Sequence, residues 1–418
     1  LIAALTGCLY AVAPSLEKVV YRDVMTVPAV AQQPEQPRFA PVTGHLNTPG
    51  RGEFSRDVLD RLQTPPGFDL DIFAEGLENP RMLAVHPGGT VFVSEREPGR
   101  VMALRDTDGN GSVDSMDPVV TGRPYVHGLA IRDDRLYMMT NKELLVADIR
   151  QDGLLGEVET LVDGLPDGGQ HPNRTLAFGP DGQLYMSIGS SCNACDEPDS
   201  RHATVMRGNP DGSDLQVFAE GLRNTVGFGW HPETGELWGL DMGSDWRGDD
   251  TPPDELNLIA EGKHYGWPWC WGDAQVDLHI PGEPEDAESR EAFCEQTESP
   301  VLTYTAHASP LMMAFYTGDQ FPEEYRGDAF VTFRGSWNRN PPSGYKVSRL
   351  RFEDGRPAGF EDLVTGFLSE DGQTHYARLA GIAQALDGSL LFTDDTNGVI
   401  YRLSYSGDAT AADGEAPR

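Results

Sequence analysis

Basic residues are scarce in this chain, and their scarcity restricts its partners. The 418 residues include 32 Lys and Arg against 66 Asp and Glu, which gives a formal net charge of −34 at pH 7. So acidic a surface repels nucleic acid and anionic membranes, and this argues against a DNA- or RNA-binding role. We interpret the charge as the solvated surface of an exported protein.

Long apolar runs are also lacking beyond the first residues, so no internal segment is predicted to span a bilayer. The chain begins Leu-Ile-Ala-Ala-Leu-Thr-Gly-Cys, which resembles the end of a bacterial lipoprotein signal with Cys8 as the lipidated residue. The basic start of such a signal is missing, and the chain looks truncated there; the alternative is a short uncleaved anchor across residues 1–13. Both interpretations predict a periplasmic or cell-surface protein that meets a membrane only through this lipid or anchor.

Cysteine is rare as well, with five in the chain. Setting Cys8 aside leaves two close pairs, and proximity in sequence predicts the disulfides Cys192–Cys195 and Cys270–Cys294, although other connectivities stay open. The run Cys-Asn-Ala-Cys is also compatible with a redox or zinc site. The chain has no second Cys-x-x-Cys and no His-x-x-His to complete a zinc site, so we favour a structural disulfide.

Helical periodicity is almost absent. Residues 14–65, rich in Pro, Gln and Thr, are predicted to form an extended tether over the surface of the domain, and residues 406–418 a disordered tail. In residues 66–405, short strands alternate with Gly, Pro and Asp turns. One hairpin unit recurs, with copies beginning at Met82, His127, Leu176, Val226, Met312 and Ile382. A sandwich would not repeat one hairpin in this way, so the pattern predicts an all-β fold, a six-bladed β-propeller of four-stranded antiparallel blades with long inserted loops.

Propeller sites lie near the axis, where loops from all blades meet, so polar residues beside the repeated strands are candidate site residues. These candidates are His127, His171, Arg223, Asn224, the loop Asp241–Asp245, Arg334 and Arg378. They are spread across the sequence, and only a closed ring of blades would bring them together.

Several motifs resemble those of the quinoprotein glucose/sorbosone dehydrogenase family over roughly residues 65–403. They are His171 with the turn Gly179–Gly182, Gly221–Asn224, Asp254–Ile259, Tyr265–Pro268, Gly335–Arg339 and Thr393–Asp395. The segments 192–195 and 336–339 look closer to the sorbosone and pyranose dehydrogenase branch than to the glucose enzymes. The resemblance implies a propeller that oxidises sugars with pyrroloquinoline quinone (PQQ) and calcium as cofactors.

The resemblance also implies roles for individual residues. His171 would be the general base, and Arg223 would stabilise negative charge on the quinone oxygen. Cofactor contacts would come from Asn224, Met242, Arg334, Arg339 and Arg378, and the backbone carbonyls of Gly243 and Ser244 would bind the calcium ion. The family's glucose enzymes read Gln-Gly-Pro where this chain has Met242-Gly243-Ser244, which is a departure at the calcium loop.

Each candidate also has a purely structural interpretation. His171 is suited to capping a turn, Arg223 to an ion pair between blades, and Arg334 and Arg378 to similar pairs. His127 is expected to line the pocket or pack within it and not to catalyse.

A second metal site is suggested by an acidic segment between two strands. Its oxygen-bearing residues follow the spacing of an EF-hand calcium loop, with Asp in place of Glu at the last position: Asp106, Asp108, Asn110, Ser112, Asp114 and Asp117. No helices flank it, so such a site would be structural. The alternative is a polar Asp/Gly turn without a metal.

The function favoured by the sequence is PQQ- and calcium-dependent oxidation of a sugar or sugar aldehyde. Electrons would leave to a quinone or a cytochrome, because the chain carries no haem motif. Two alternatives stay open: a calcium-dependent lactonase on the same architecture, and a non-catalytic propeller that binds glycans or proteins.

Overall fold

Six antiparallel sheets of four or more strands are arranged around a common axis in the computed structural model of this protein. The structure describes residues 42–166, 168–285 and 287–407, together with the backbone of Val20–Arg22. The predicted six-bladed β-propeller is confirmed. Cys8 and the whole of residues 1–13 lie outside the described residues, as do residues 14–19 and 23–41 of the predicted tether and residues 408–418 of the predicted tail.

Blades one to three follow the chain order, with the first strand of each blade nearest the axis. Blade one comprises Pro80–Val85, Val91–Glu95, Arg100–Arg105 and Ser115–Val120. Blade two comprises Leu129–Arg132, Arg135–Met139, Leu144–Asp148 and Glu159–Val162. Blade three comprises Arg174–Phe178, Leu184–Ile188, Thr204–Gly208 and Gln216–Glu220, with Lys263–His264 added in parallel at its outer edge.

Blades four to six contain the longer loops and insertions. Blade four comprises Gly227–Trp230, Leu237–Asp241, Asp254–Leu258 and, after an insertion, Leu302–Tyr304. Blade five comprises Pro310–Phe315, Ala329–Phe333, Lys346–Glu353 and Arg356–Val364. Blade six comprises Leu379–Gln384, Leu390–Asp394, Val399–Tyr405 and, from the start of the propeller, Phe68–Ala74.

Short elements decorate the sheets. The β pairs are Val20–Arg22 with Thr43–His45, Gly50–Arg51 with Thr374–His375, and Cys270–Trp271 with Gln275–Val276; the helices are the α-helix Arg290–Cys294 and the 3-10 helices Arg56–Arg61 and Glu323–Tyr325. None of the helices in the described ranges is long and apolar enough to cross a membrane.

The repeated hairpins are the two inner strands of each blade, and burial explains their composition. Every residue of Val91–Glu95 and of Leu184–Ile188 is buried, because each inner strand packs between neighbouring blades. Both of its faces therefore select apolar side chains. At the hairpin tip, Gly182 has φ +77°, a left-handed conformation that glycine adopts without steric cost.

The ring closes without a covalent link, by pairing the first propeller strand with the last. Phe68–Ala74 runs antiparallel to Val399–Tyr405 as the outermost strand of blade six. Hydroxyl groups also join neighbouring blades near the axis. Thr393 Oγ donates to the carbonyl of Arg81 at 2.8 Å, and Ser94 Oγ donates to the carbonyl of His127 at 2.7 Å. The first bond joins blade six to blade one, and the second joins blade one to the segment that leads into blade two.

Candidate active site

Polar and charged side chains from all six blades gather at one end of the ring. The first strands of the six blades run in the same direction, and each second strand runs back antiparallel to its first, so the residues that precede first strands and those at the ends of second strands meet on the same face. We call the following residues the hub cluster: Arg81, His127, His171, Arg174, Arg223, Arg334, Arg378 and Asp395. The structure thus brings together five of the arginine and histidine residues predicted from sequence with three others, Arg81, Arg174 and Asp395.

His171 is held in a defined tautomer by Ser190. Its Nδ1 lies 2.8 Å from Ser190 Oγ and 3.2 Å from the carbonyl of the same residue. Because the Ser190 hydroxyl donates its own proton to the carbonyl of Cys192 at 2.7 Å, it accepts from His171. Nδ1 therefore carries the imidazole proton, and Nε2 keeps its lone pair.

Burial and nearby positive charge keep His171 neutral. Burial, followed by the charges of Arg223 and Arg174, lowers the pKa of His171 from 6.5 to about 3, against an opposing effect of its bond to the Ser190 carbonyl. At neutral pH the ring is thus unprotonated at Nε2 and can accept a proton. An anion bound beside Arg223 would offset part of this effect and raise the pKa of His171.

Arg223 and His171 lie on the same face of the propeller, side by side. Ser190 N–H donates to the carbonyl of Arg223 at 2.8 Å, and His171 N–H donates to that of Ser190 at 3.3 Å, so the three segments form a short ladder. Gly189 permits this approach, because a Cβ there would come within 2.8 Å of His171 Cβ and 2.9 Å of Asn224 Oδ1. A base and a cation from different blades are therefore adjacent.

Asp241 fixes the backbone of Arg223 and Asn224 from the end of the second strand of blade four. Its two carboxylate oxygens accept from the N–H groups of Arg223 at 3.0 Å and Asn224 at 2.7 Å, and from Thr225 Oγ at 2.8 Å. Burial raises the pKa of Asp241 to about 6 despite these hydrogen bonds.

The predicted calcium loop contacts the side chains of Arg223 and Asn224. The carbonyl of Met242 accepts from Arg223 Nη1 at 3.3 Å, and its sulfur lies 3.4 Å from Asn224 Nδ2. Gly243 N–H donates to the buried Asp254 at 3.4 Å, and Ser244 is itself buried. No described residue donates a hydrogen bond to the carbonyl oxygens of Gly243 and Ser244. These two oxygens are therefore available to a cation.

Asp395 is the centre of an arginine cluster that spans three blades. Its carboxylate pairs with Arg81 of blade one and with Arg334 of blade five, the latter at 2.8 Å, while its side chain is almost wholly buried. Arg378 donates to the carbonyl of Gly335 at 2.8 Å. Burial lowers the pKa of both Arg81 and Arg378 to about 10, and the charge of Arg334 contributes to each shift. Two guanidinium groups therefore pair with one carboxylate, and the charge of that carboxylate also acts on Arg378.

Several buried nitrogen atoms near this cluster lack a partner among the described residues. They are Nε of Arg81, Nε of Arg96 and Nε2 of His127. His127 is fully buried, its Nδ1 lies 3.1 Å from the carbonyl of Arg174, and burial together with Arg81 and Arg96 lowers its pKa well below 6.5. Buried polar atoms without partners are uncommon, which makes them candidate ligand contacts.

Arg339, predicted to contact a cofactor, has other partners. Its Nη2 pairs with Asp250 at 2.9 Å, and its Nη1 donates to the carbonyl of Ala306 at 3.4 Å. Arg339 also lines a groove of about 440 Å³ with Pro341 and Lys346. The structure therefore does not bring Arg339 into the arginine cluster around Asp395.

Sequence reasoning missed Arg81, Arg96, Arg174 and Asn193. Arg81 and Arg174 begin first strands and Arg96 follows a second strand, so the rule that found His171 and Arg223 also applied to them. Because these arginines lie inside or beside apolar runs, the sequence pattern did not mark them as site residues. Asn193 lies between two cysteines and carried no separate signal.

Both predicted disulfides are confirmed. Cys192 is bonded to Cys195 and Cys270 to Cys294, with Cα atoms 6.2 and 5.7 Å apart. The first closes a loop beside His171 and Arg223, and the second ties the insertion of blade four to its α-helix.

The predicted second calcium loop is partly assembled. Carboxylate oxygens of Asp106, Asp108 and Asp114 lie within 4.8 Å of one another. The side-chain oxygen of Asn110 accepts from Ser112 N–H at 2.8 Å, whereas the Ser112 hydroxyl donates to the carbonyl of Ile72 at 3.4 Å, outside the loop. Asp117 is on the next strand and pairs with Arg105. Calcium binding at this loop stays a prediction.

Comparison with known proteins gives a consistent result. A family model described as TrAA12-like matches residues 62–406. The chain is 24% identical over 399 residues to the pyrroloquinoline quinone-dependent sugar dehydrogenase of Hypocrea jecorina, covering 83% of this chain and 90% of that protein. It is 29% identical over 367 residues to an uncharacterised protein of Borreliella burgdorferi, covering 84% and 93%.

Solved structures show the same fold. The calcium structure of a Trichoderma reesei carbohydrate-active enzyme of family AA12 superposes with a TM-score of 0.70 at 24% identity, covering 82% of this chain and 97% of that one. The holo form of the pyranose dehydrogenase PQQ domain of Coprinopsis cinerea gives 0.68 at 21% identity, with the same coverage. With a family model that covers most of its length, the chain belongs to the TrAA12-like family.

Proposed function

We propose that this protein is a PQQ-dependent sugar dehydrogenase that also uses calcium and acts on an aldose or a sugar aldehyde. The observation that carries the proposal is the excess of positive charge at the hub. Arg81 and Arg334 pair with the carboxylate of Asp395, and Arg378 lies beside them with its guanidinium bonded, among the described residues, only to backbone carbonyls, in a protein whose net charge is −34. Partly buried cations in excess of their carboxylate partners favour the binding of an anionic ligand.

The donor set fits PQQ, which carries three carboxylates. Guanidinium groups bind carboxylates in bidentate geometry, and the unpartnered Nε atoms of Arg81 and Arg96 offer further donors at the same place. PQQ, when bound, accepts the hydride that leaves the sugar carbon. The relatives named as PQQ-dependent enzymes support this choice of cofactor.

His171 and Arg223 supply the remaining chemistry. The sugar hydroxyl gives its proton to Nε2 of His171, which is free because Nδ1–H is bonded to Ser190. Arg223 places positive charge beside this base, where it would stabilise the negative charge that a bound quinone gains with the hydride. Asn224 keeps its side-chain oxygen toward His171 across Gly189 and can orient a bound ligand.

Calcium would be held by the carbonyl oxygens of Gly243 and Ser244. Oxygen ligands of this kind suit a hard cation, and the chain around them is anchored by Asp254. Met242 in place of the glutamine of related glucose enzymes offers sulfur and not oxygen, so the backbone would carry more of the coordination.

The alternatives fit this hub less well. A calcium-dependent lactonase needs carboxylates and amides around a central ion, whereas guanidinium groups dominate here. A non-catalytic glycan-binding propeller has no use for a buried arginine cluster. Electrons would pass on to a quinone or cytochrome, and the periplasmic, lipid-anchored location predicted from the N-terminal residues remains part of the proposal.

Reconstitution tests the proposal directly. The full chain, titrated with PQQ and calcium, is expected to show a saturable absorbance change and dye-linked oxidation of sugars. His171→Ala is expected to abolish oxidation while PQQ binding is retained. His86→Ala, a histidine paired with Asp134 on an outer turn, is the matched control. Sugar oxidation that survives in His171→Ala would refute the base, and absence of PQQ binding would refute the cofactor.

A further inference from the structure

A short loop after the second strand of blade three lies beside both His171 and Arg223. It is closed by the Cys192–Cys195 disulfide and by Glu197, whose carboxylate accepts from the backbone N–H and the hydroxyl of Ser191 at 2.7 and 2.5 Å. Asn193 lies inside the disulfide ring. The chemistry proposed above uses neither this residue nor the disulfide.

Asn193 holds one edge of the Arg223 guanidinium. Arg223 Nε donates to the carbonyl of Asn193 at 2.9 Å, and Nη2 donates to its side-chain Oδ1 at 2.8 Å. Two parallel bonds from one residue fix the plane of the guanidinium much as a carboxylate does. Because an amide and a carbonyl are neutral, they orient the cation without neutralising it. Asp245, 3.1 Å from Nη2, is the charged partner of Arg223.

The other polar contacts of Asn193 connect Arg223 with the predicted calcium loop. Asp245 N–H donates to Asn193 Oδ1 at 2.8 Å, and Asn193 Nδ2 donates to the carbonyl of Asp245 at 3.1 Å. Ser244 Oγ and Trp267 Nε1 donate to the Asn193 carbonyl at 3.4 and 3.3 Å. A shift of Asn193 would therefore move the cation and the segment 244–245 together.

The same loop also orients the base. Ser190 can accept from His171 Nδ1–H because its hydroxyl donates to the carbonyl of Cys192, the first residue of the disulfide. The disulfide restricts a loop that has no regular backbone pairing of its own. Its loss would loosen the acceptors for His171 and for Arg223 at once.

We propose that Asn193 is the positioning residue of Arg223, and that the Cys192–Cys195 disulfide holds Asn193 and Ser190 in place. The inference rests on the proposed function for its effect on turnover. Its geometric part concerns the orientation of Arg223 and can be measured without any cofactor.

Chemical labelling of the apoprotein shows whether Arg223 stays in its buried position. Phenylglyoxal modifies accessible arginines, and mass spectrometry of the peptide containing Arg223 gives the extent of labelling. Arg223 is buried in the native protein, so we expect little labelling there and in the control Ala194→Ser. Labelling is expected to increase several-fold in Asn193→Ala and further in Cys192→Ala/Cys195→Ala. Asn193→Asp keeps both acceptor oxygens and is expected to restore protection.

Kinetics of the protein loaded with PQQ and calcium provide the second readout. A misplaced cation affects the transition state more than substrate binding, so Asn193→Ala is expected to lower kcat about 100-fold with little change in KM. The double variant Cys270→Ala/Cys294→Ala controls for the general loss of a disulfide and is expected to leave Arg223 unlabelled.

Each outcome decides a different statement. Equal protection of Arg223 in the native protein, Asn193→Ala and Cys192→Ala/Cys195→Ala overturns the inference. Failure of the native protein to oxidise sugars overturns the proposed function instead, and labelling alone then decides the role of Asn193. Labelling that rises equally in both disulfide variants reports general loosening and also overturns the specific role of Cys192–Cys195.

Discussion

Replacement of Asp395 by asparagine removes the shared counter-ion of the arginine cluster. Asp395 and Arg81 are both almost completely buried, and Arg334 is about three-quarters buried, with 26% of its side chain exposed. Burial alone would raise the pKa of Asp395, but the charges of Arg81, Arg334 and Arg378 hold it below its usual value. The carboxylate is thus ionised at neutral pH, and its loss leaves uncompensated buried cations. Breaking a buried pair in this way costs about 3–5 kcal/mol.

A second, more specific prediction for Asp395→Asn concerns its response to PQQ. A tricarboxylate would replace the missing negative charge, so PQQ is expected to stabilise Asp395→Asn more than the native protein. A tenfold tighter Kd would add about 1.4 kcal/mol of stabilisation at saturating ligand. The assay is urea unfolding with and without PQQ, at fixed calcium, followed by tryptophan fluorescence.

Asp328→Asn is the matched control. Asp328 is also buried and paired with an arginine, Arg349, but it lies in blade five away from the hub. We expect a comparable loss of stability and a response to PQQ equal to that of the native protein. Equal stabilisation of Asp395→Asn and native protein by PQQ would refute the assignment of the arginine cluster as the anion site.

Three further predictions concern single sites. His171 keeps a pKa of about 3 in the folded protein against 6.5 when unfolded, so the unfolded chain binds its proton first as pH falls; stability is therefore lost between these values, and His171→Asn is expected to flatten the decline in urea unfolding. For Glu255 the pH dependence of stability has the opposite sign. Burial raises its pKa from 4.5 to about 7, so its contribution is present below pH 4.5 and lost as pH rises through 7, and Glu255→Gln should remove that loss in the apoprotein. Calorimetric titration should show one calcium site fewer in Asp106→Ala/Asp108→Ala than in the native protein, and an unchanged number of sites would exclude the loop as a calcium site.

The fold was predictable because its inner strands obey a strong local rule. Each copy of the hairpin, such as the one beginning at Met82, falls on two strands whose residues are buried on both faces. Outer strands such as Gln216–Glu220 are partly exposed, and their mixed composition gives no comparable signal. Their number and pairing followed only from the architecture.

Site residues were predictable where they lie beside a repeated strand. Residues whose role depends on contacts with distant parts of the chain were not. His171 and Arg223 precede first strands, and the structure places them side by side. The pair Arg81 and Asp395 joins residues 314 positions apart, a separation that no local pattern encodes. Asn193 matters through its contacts alone, which sequence spacing does not reveal.

The junction between blades one and six contains part of the proposed anion site. Arg81 belongs to the first blade and Asp395 follows the second strand of the last, and the strand Phe68–Ala74 completes the sheet that supports them. A ligand that contacts both blades would stabilise the closed ring, so closure of the ring and binding of the ligand are thermodynamically coupled. Any change that weakens the terminal sheet would then reduce ligand affinity, even though it lies at the perimeter of the disc.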